Sequence, residues 1–432
     1  MSLKISVIDI LPTRINGFPL KINQQILFYF LIPTLITLTL YILSVVFDIV
    51  VGMRLILEKK VALGVITLLI IGVPAVLDYI YQISYTRKIV GTKRQINWNV
   101  CHFIDTLLFP FHIVICLIQE LYLTVGAMSS EDPAREEKLQ KLIRIKKEIQ
   151  VYQFLHAFLH TLPQALLQLY LLLDKPTSKS AWTRFFQICS LSTSILITTS
   201  GVQMYHRYES QRVTISTTGS NPINSPDADN AHNNNQQDGE NAERQEPQGE
   251  QPQDEHTTQD LLRNERLKRT FSDDPSPNRP LHYYQNNDDH IGRTVLYIAW
   301  LLFIIQRIFA IVPAFKYIPT FAIITVLAHY ILITVLLTIR DDFFKRLHYI
   351  LFLGYVHIFG VIEVGIKINR AVAYHFLFYG LVIVEDILLN YLWYNYGKWK
   401  SNILYQVFIM NYVFLIVGPL LMILYFKCLR NP

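Results

Sequence analysis

Charge and cysteine are both scarce in this sequence. Asp, Glu, Lys and Arg together make up 17% of the 432 residues, and there are only four cysteines. Cys101, Cys116 and Cys189 lie within apolar runs and Cys428 at the end of the last one, so their spacing gives no disulfide framework and no metal-binding signature. No GxxxxGK[ST] loop is present to cradle nucleotide phosphates, so nothing points to ATP-driven pumping. A GxSxG nucleophile turn is missing, as is any filter resembling TVGYG. Neither an enzyme nor a selective ion pore is expected, no cofactor is implied, and any transport is passive. The opening residues hold no compact apolar run, so no cleavable leader is expected.

Hydrophobic residues, by contrast, make up 51% of the chain. They pool into blocks at 26–57, 61–85, 100–125, 151–173, 181–204, 295–315, 318–339, 349–366, 372–396 and 403–426. Crossing the hydrocarbon of a bilayer takes about 20 helical residues, and nearly every block is that long. The chain therefore reads as an all-α polytopic membrane protein. Its net charge of +6 fits Lys and Arg gathered in cytosolic loops rather than a surface for nucleic acid.

Charge also predicts the topology. Arg87, Lys88, Lys93 and Arg94 precede the block at 100–125, and a second basic run from Arg135 to Lys147 follows it. Both flanks read as cytosolic, so that block is expected to enter and turn back, with Phe109-Pro110 as the turning point. Arg340, Lys345 and Arg346 precede the block at 349–366, and Lys367 and Arg370 follow it, which repeats the pattern. The expectation is eight transmembrane helices plus two re-entrant half-helices in two pseudo-repeats, with both termini cytosolic. Residues 1–206 form the first membrane half and 293–432 the second.

Between the halves, residues 207–292 are rich in Asn, Gln, Asp, Glu and Pro and are expected to form a disordered cytosolic loop. The island "LLRNERLKRTFSDD" within it is basic and amphipathic, suited to anionic lipid. Ser272, with Arg269 three residues before it, is a candidate phosphorylation site.

The segment "FLHTLPQALLQLYLLL" is unusual for a membrane helix because it keeps polar groups at its centre. His156, His160, Gln164 and Gln168 recur every four residues and so share one slanting face, about 18 Å long. Arg184 and Gln187 begin the next block, followed by a run of Ser and Thr. Asp48, Arg307, Glu363, Glu385 and Asp386 lie at membrane depth in other blocks. A charge at the bilayer centre costs roughly 3 kcal/mol or more, so such groups pair with one another or line a wet path. Helix-to-helix glue and a pathway are both open readings of each residue, and their number and spread in depth favour a pathway. Zinc binding by His156 and His160 is disfavoured, because no HExxH glutamate and no third ligand accompany them.

Five segments, in order, resemble the XK-related family of multispanning membrane proteins. They are "FLHAFLHTLPQALLQLYLLL", "QMYHR", "WLLFIIQRIFAIV", "VIEVGIKINRAVAYHFLFYGLVIVEDILLNYLWY" and "PLLMILYFKCLRNP". The resemblance implies eight crossings and two half-inserted helices. It also implies a phospholipid scramblase of the plasma membrane that exposes phosphatidylserine in dying cells. By the same resemblance Asp48, Arg307 and Glu385 match charged positions of a buried lipid track, and Gln164 belongs to a proline-glutamine signature. Implied partners are membrane phospholipids, a single-span accessory subunit, a bridge-like lipid-transfer protein and an activating caspase, with Asp229 in the long loop as the candidate cleavage site. Relatives commonly carry acids where this chain has Ser44, His156, His160 and Met204. A non-transporting scaffold and a polar-solute transporter or channel are the rival expectations.

Overall fold

The computed structural model describes residues 14–15, 18–86, 109–173, 180–210, 290–340, 347–360, 371–396 and 402–425. These belong to a compact unit formed by Met1–Gln211 and Tyr284–Pro432. Among the described residues the architecture is helical, apart from a two-residue antiparallel ladder in which β1 (Arg14–Ile15) pairs with β2 (Phe18–Pro19).

The helices follow the apolar blocks closely. They are α1 (Ile22–Leu57), α2 (Val61–Thr86), α3 (Phe109–Met128), α4 (132–172), α5 (Ala181–Ser210), α6 (His290–Tyr317), α7 (Pro319–Arg340), α8 (Leu347–His357), α9 (Ala371–Tyr396) and α10 (Asn402–Leu424). Five of them, α1, α5, α6, α7 and α10, contain stretches long and apolar enough to cross a bilayer. With 11 residues, α8 is about 16 Å long, too short to cross, and the chain turns at 358–359 directly after it. The expected turning point at Phe109-Pro110 falls at the start of α3, with Pro110 in its first turn; the residues before it lie outside the described set.

Burial is inverted relative to a water-soluble protein. Along α1, Leu35, Ile36, Leu43, Val46, Ile49 and Met53 are exposed, while Tyr41, Ser44 and Asp48 are buried. Exposed Leu and Ile need no covering when the solvent is lipid, whereas polar groups must find partners inside the bundle. α1 and α2 approach through facing glycines: a Cβ added at Gly64 would lie 2.6 Å from the Gly52 carbonyl oxygen. Their connection turns at Lys59, whose φ of 65° is left-handed. The Lys59 and Lys60 N–H groups donate back to the Ile56 and Leu55 carbonyls, closing the end of α1.

The segment at 151–173 is not a separate helix. It is the end of α4, which starts in the charged segment at Asp132 and runs without interruption to Leu172. Within α4 a π-turn spans Ala157–Thr161, and α1 has another at Leu27–Leu31. Each lies just before a proline, Pro163 and Pro33. A proline within a helix offers no N–H and crowds the carbonyl four residues back, and widening the turn relieves that clash.

α4, α5 and α6 supply most of the central core, with Phe154, Phe158, Leu162, Leu191, Ile195, Trp300 and Phe303. This core joins residues from 154–202 with residues from 296–425, and α8 and α9 pack into it through Leu353, Val356, Phe378 and Trp393.

Candidate functional site

A buried polar seam forms where α1, α4 and α5 meet. Tyr41, Ser44 and Asp48 share one face of α1 by their spacing of three and four. Opposite them α4 presents Gln153, His156, His160, Gln164 and Gln168, and α5 presents Gln187, Ser190, Ser194 and Thr198. All are buried. The π-turn helps to align the histidines, because a turn closed at i→i+5 holds more residues than an α-turn and side chains four apart drift less.

At the centre of the seam, Asp48 accepts a hydrogen bond from the Ser190 hydroxyl at 2.5 Å. Its other oxygen lies 3.1 Å from His160 Nε2. The opposite nitrogen of that ring, Nδ1, is 2.6 Å from His156 Nε2. The His156 ring rests against Tyr41, with 4.7 Å between ring centroids. Asp48, His160 and His156 thus form a short chain in which one imidazole donates to the other. Next to it, the Thr161 and Thr198 hydroxyls join α4 to α5 at 2.7 Å.

Much of the remaining seam has hydrogen-bonding capacity that protein groups do not use. Neither amide atom of Gln164 or Gln168 has a partner, nor do Ser44 Oγ, Ser194 Oγ, Tyr41 OH, Gln187 Nε2 and His156 Nδ1.

The second cluster is built on ion pairs, although Gln306 Oε1, His329 Nε2 and Glu385 Oε1 have no protein partner. Arg307, fully buried on α6, reaches Asp386 through Nη1 and Glu385 through Nη2, the latter at 2.7 Å. Its Nε donates to the Ile358 carbonyl at 2.8 Å, in the turn that follows α8. Gln306 donates to the other Asp386 oxygen at 2.5 Å, and His329 of α7 lies 2.6 Å from Glu385. Three other chain segments, α7, the turn after α8 and α9, therefore converge on the guanidinium carried by α6.

Of the residues singled out by sequence, Asp48, His156, His160, Gln164 and Gln168 come together in the seam, and Arg307, Glu385 and Asp386 in the ion cluster. Arg184 does not join either: it is exposed near the start of α5. Glu363, Asp229 and Ser272 lie outside the described residues, as does most of the 207–292 loop. Ser44 is buried in the seam, and Met204 is half-buried with its sulfur 3.8 Å from Ser200 Oγ. Tyr41, Gln153, Gln306 and His329 were not foreseen. Ser190 was submerged in a run of hydroxyls, Gln306 stood next to a more conspicuous arginine, and His329 was the polar signal in "VLAHYILI" that a charge count passed over.

Among the described residues no three His, Cys, Asp or Glu side chains are placed to share a metal ion. What the seam offers is donors and acceptors in a bilayer interior, able to replace part of the hydration of a polar group. No curated protein matches the chain at a significant level. The model of the XK-related protein family matches residues 32–220 and 279–431. These segments cover most of the sequence, and the chain belongs to the XK-related family.

Proposed function

We propose that this protein is a passive, ATP-independent phospholipid scramblase of the plasma membrane. Eight crossings and two half-inserted segments would place both termini in the cytosol. A headgroup cannot cross hydrocarbon bare, because its charges lose their hydration. The reading rests on one observation: Gln164 and Gln168 are fully buried and neither amide hydrogen-bonds to another protein group, on the helix face that carries His156 and His160. Such a wall supplies hydrogen bonds to a passing headgroup while the acyl tails stay in the bilayer.

The seam residues are buried, so lipid passage on this reading requires the helices to part. Cleavage at Asp229, phosphorylation at Ser272, or engagement of a single-span subunit are the candidate triggers. Exposure of phosphatidylserine in dying cells is the physiological role that follows. The Arg307 ion pairs, which hold α6 to α9, favour a second reading, a non-transporting scaffold that docks a bridge-like lipid-transfer protein.

Purified full-length protein and protein cleaved in the 207–292 loop are placed in liposomes carrying a fluorescent lipid, and dithionite is added outside. Loss of inner-leaflet fluorescence in either preparation supports scrambling. Protection of that leaflet in both preparations overturns it in favour of the scaffold. Ion conductance without lipid movement indicates a channel instead.

A further inference from the structure

The three helices that wall the seam meet the bilayer unequally. Between residues 152 and 169 α4 exposes no side chain, and α5 exposes none from 193 to 204. α1 exposes Leu35, Ile36, Val46, Ile49 and Met53 on one face, while Ser44 and Asp48 on the other are fully buried. The contacts of α1 also differ in kind. Toward α2 they are tight and apolar: a Cβ added at Gly52 would lie 2.7 Å from the Leu68 side chain. Toward α4 and α5 they are polar and incomplete. Asp48 reaches Ser190 and His160, and Glu58, just past the end of α1, accepts from Thr183 at 2.7 Å. Tyr41 OH and Ser44 Oγ have no protein partner, nor do the amides of Gln164 and Gln168. Buried polar atoms without partners oppose the packing that buries them, so such surfaces part more cheaply than apolar ones.

The N-terminal end of α1 is anchored instead. Ile26, Tyr29 and Phe30 pack with Ala127 of α3 and with Leu139 and Leu142 of α4. Glu120 of α3 hydrogen-bonds to the Thr34 side chain. Lys146 of α4 donates to the Tyr29 carbonyl at 3.1 Å, and its Nζ lies 4.5 Å from the centroid of the Phe30 ring. Pro33 has no N–H to offer that carbonyl, so Lys146 stands in for a bond the helical ladder lacks. The π-turn Leu27–Leu31 lies in this anchored segment, closed by the Ile32 N–H on the Leu27 carbonyl. Prolines and π-turns are the places where helices bend.

We propose that α1, carrying α2 with it, is the movable wall of the seam: it swings from α4 and α5 about its anchored π-turn and opens the seam sideways to the bilayer. The contacts given up are those of Asp48 and Glu58. The groups uncovered are polar ones that gain partners from water or headgroups. Lys146 is a positioning residue in this arrangement, because it holds the pivot of α1 from α4. Use of the opening by lipid rests on the scramblase reading above; the opening itself does not.

The full chain in nanodiscs is treated with diethylpyrocarbonate, a small electrophile that acylates imidazole nitrogens, and the modified histidines are read by mass spectrometry. His156 in the seam and His329 in the ion cluster are both buried, and each has one ring nitrogen without a protein partner. A static bundle treats them alike. With the moving wall, His156 is expected to react at least about tenfold faster, because local opening takes less free energy than global unfolding. Equal rates overturn the proposal. Which wall moves is read with Glu58→Cys and Thr183→Cys in a chain whose four native cysteines are serine, joined by a short bis-thiosulfonate link verified by mass. Linking is expected to slow His156 to the rate of His329, and reduction to restore it. A His156 rate untouched by the link overturns α1 as the moving wall. If the cysteine-free chain does not fold, Lys146→Met with Glu120→Gln decides in the native-cysteine background. Loosening the pivot is expected to speed His156 several-fold and leave His329 as it was; no change, or an equal change at both, overturns the pivot. Lipid transfer is followed in the linked and reduced protein. A wall that opens in a protein that moves no lipid keeps this proposal and overturns the scramblase reading.

Discussion

The Tyr355 hydroxyl donates to the main-chain carbonyl of Phe158 at 2.9 Å, joining α8 to the π-turn of α4. That carbonyl needs an outside donor for a covalent reason. In a π-turn its partner would be the N–H five residues on, and that position is Pro163, which has none. Proline thus opens the turn and leaves an acceptor that a tyrosine from elsewhere in the chain fills. Tyr355→Phe removes the donor with little change in packing. It is expected to lower stability by about 1–2 kcal/mol, read as a lower melting midpoint in detergent. An unchanged midpoint would show that the carbonyl is satisfied without Tyr355.

This contact marks the limit of what the sequence discloses. Hydropathy placed several apolar helices within a residue or so, as at 61–85 and 372–396, because such blocks reflect the thickness of a bilayer, but it ran the block at 349–366 past the turn that ends α8 at His357. The four-residue spacing of His156, His160, Gln164 and Gln168 predicted a common face, and they share one. The continuity of α4 was hidden because its first half is charged and its second half apolar, so hydropathy divided a single helix in two. Pairings across helices were not legible either. Nothing local to "VLAHYILI" and "VIVEDILL" says that His329 meets Glu385, since that contact depends on how α7 and α9 cross.

Arg307 is expected to be the most sensitive position in the second cluster. Arg307→Leu leaves Glu385 and Asp386 buried and facing each other without a cation. Breaking a buried pair in this way costs about 3–5 kcal/mol. Little folded protein is expected from this variant by size-exclusion chromatography. Adding Glu385→Gln and Asp386→Asn to Arg307→Leu removes the stranded charges and is expected to restore folding in part. Lipid movement by that triple variant then tells whether Arg307 acts on lipid or only holds the bundle.

Asp48 separates charge from hydrogen bonding in the first cluster. Asp48→Asn keeps an oxygen for the Ser190 hydroxyl and a comparable shape beside His160. Its melting midpoint is expected to stay near that of the wild type. Asp48→Leu strands both partners and is expected to cost about 2–3 kcal/mol. Equal midpoints for the two variants would show that Ser190 and His160 do not depend on Asp48.

Two glycines on α2 form a matched test of close helix approach. At Gly64 an added Cβ would meet the Gly52 carbonyl oxygen at 2.6 Å and the Ile56 side chain at 2.6 Å. Gly64→Ala must push α1 and α2 apart, at an expected cost of about 1–3 kcal/mol. At Gly72 an added Cβ meets nothing within 4 Å. Gly72→Ala is expected to be neutral or to stabilise by up to about 1 kcal/mol through helix propensity. Thermal unfolding of the two variants side by side tests this, and a reversed order would show that the α1–α2 contact is not tight.

Gln164 carries the strongest test of the seam, because the two readings of it predict opposite signs. If its amide only joined helices, Gln164→Leu would remove a useful bond and destabilise the fold. Neither amide atom has a partner, however, and the side chain is fully buried. Leucine fills a similar volume without a desolvated polar group, so the variant is expected to be more stable, by about 1–2 kcal/mol. The same change removes a donor and an acceptor from the proposed headgroup path and is expected to slow lipid transfer. A higher melting midpoint together with slower loss of inner-leaflet fluorescence fits an amide kept for function at the expense of stability. A lower midpoint would return Gln164 to the role of structural glue.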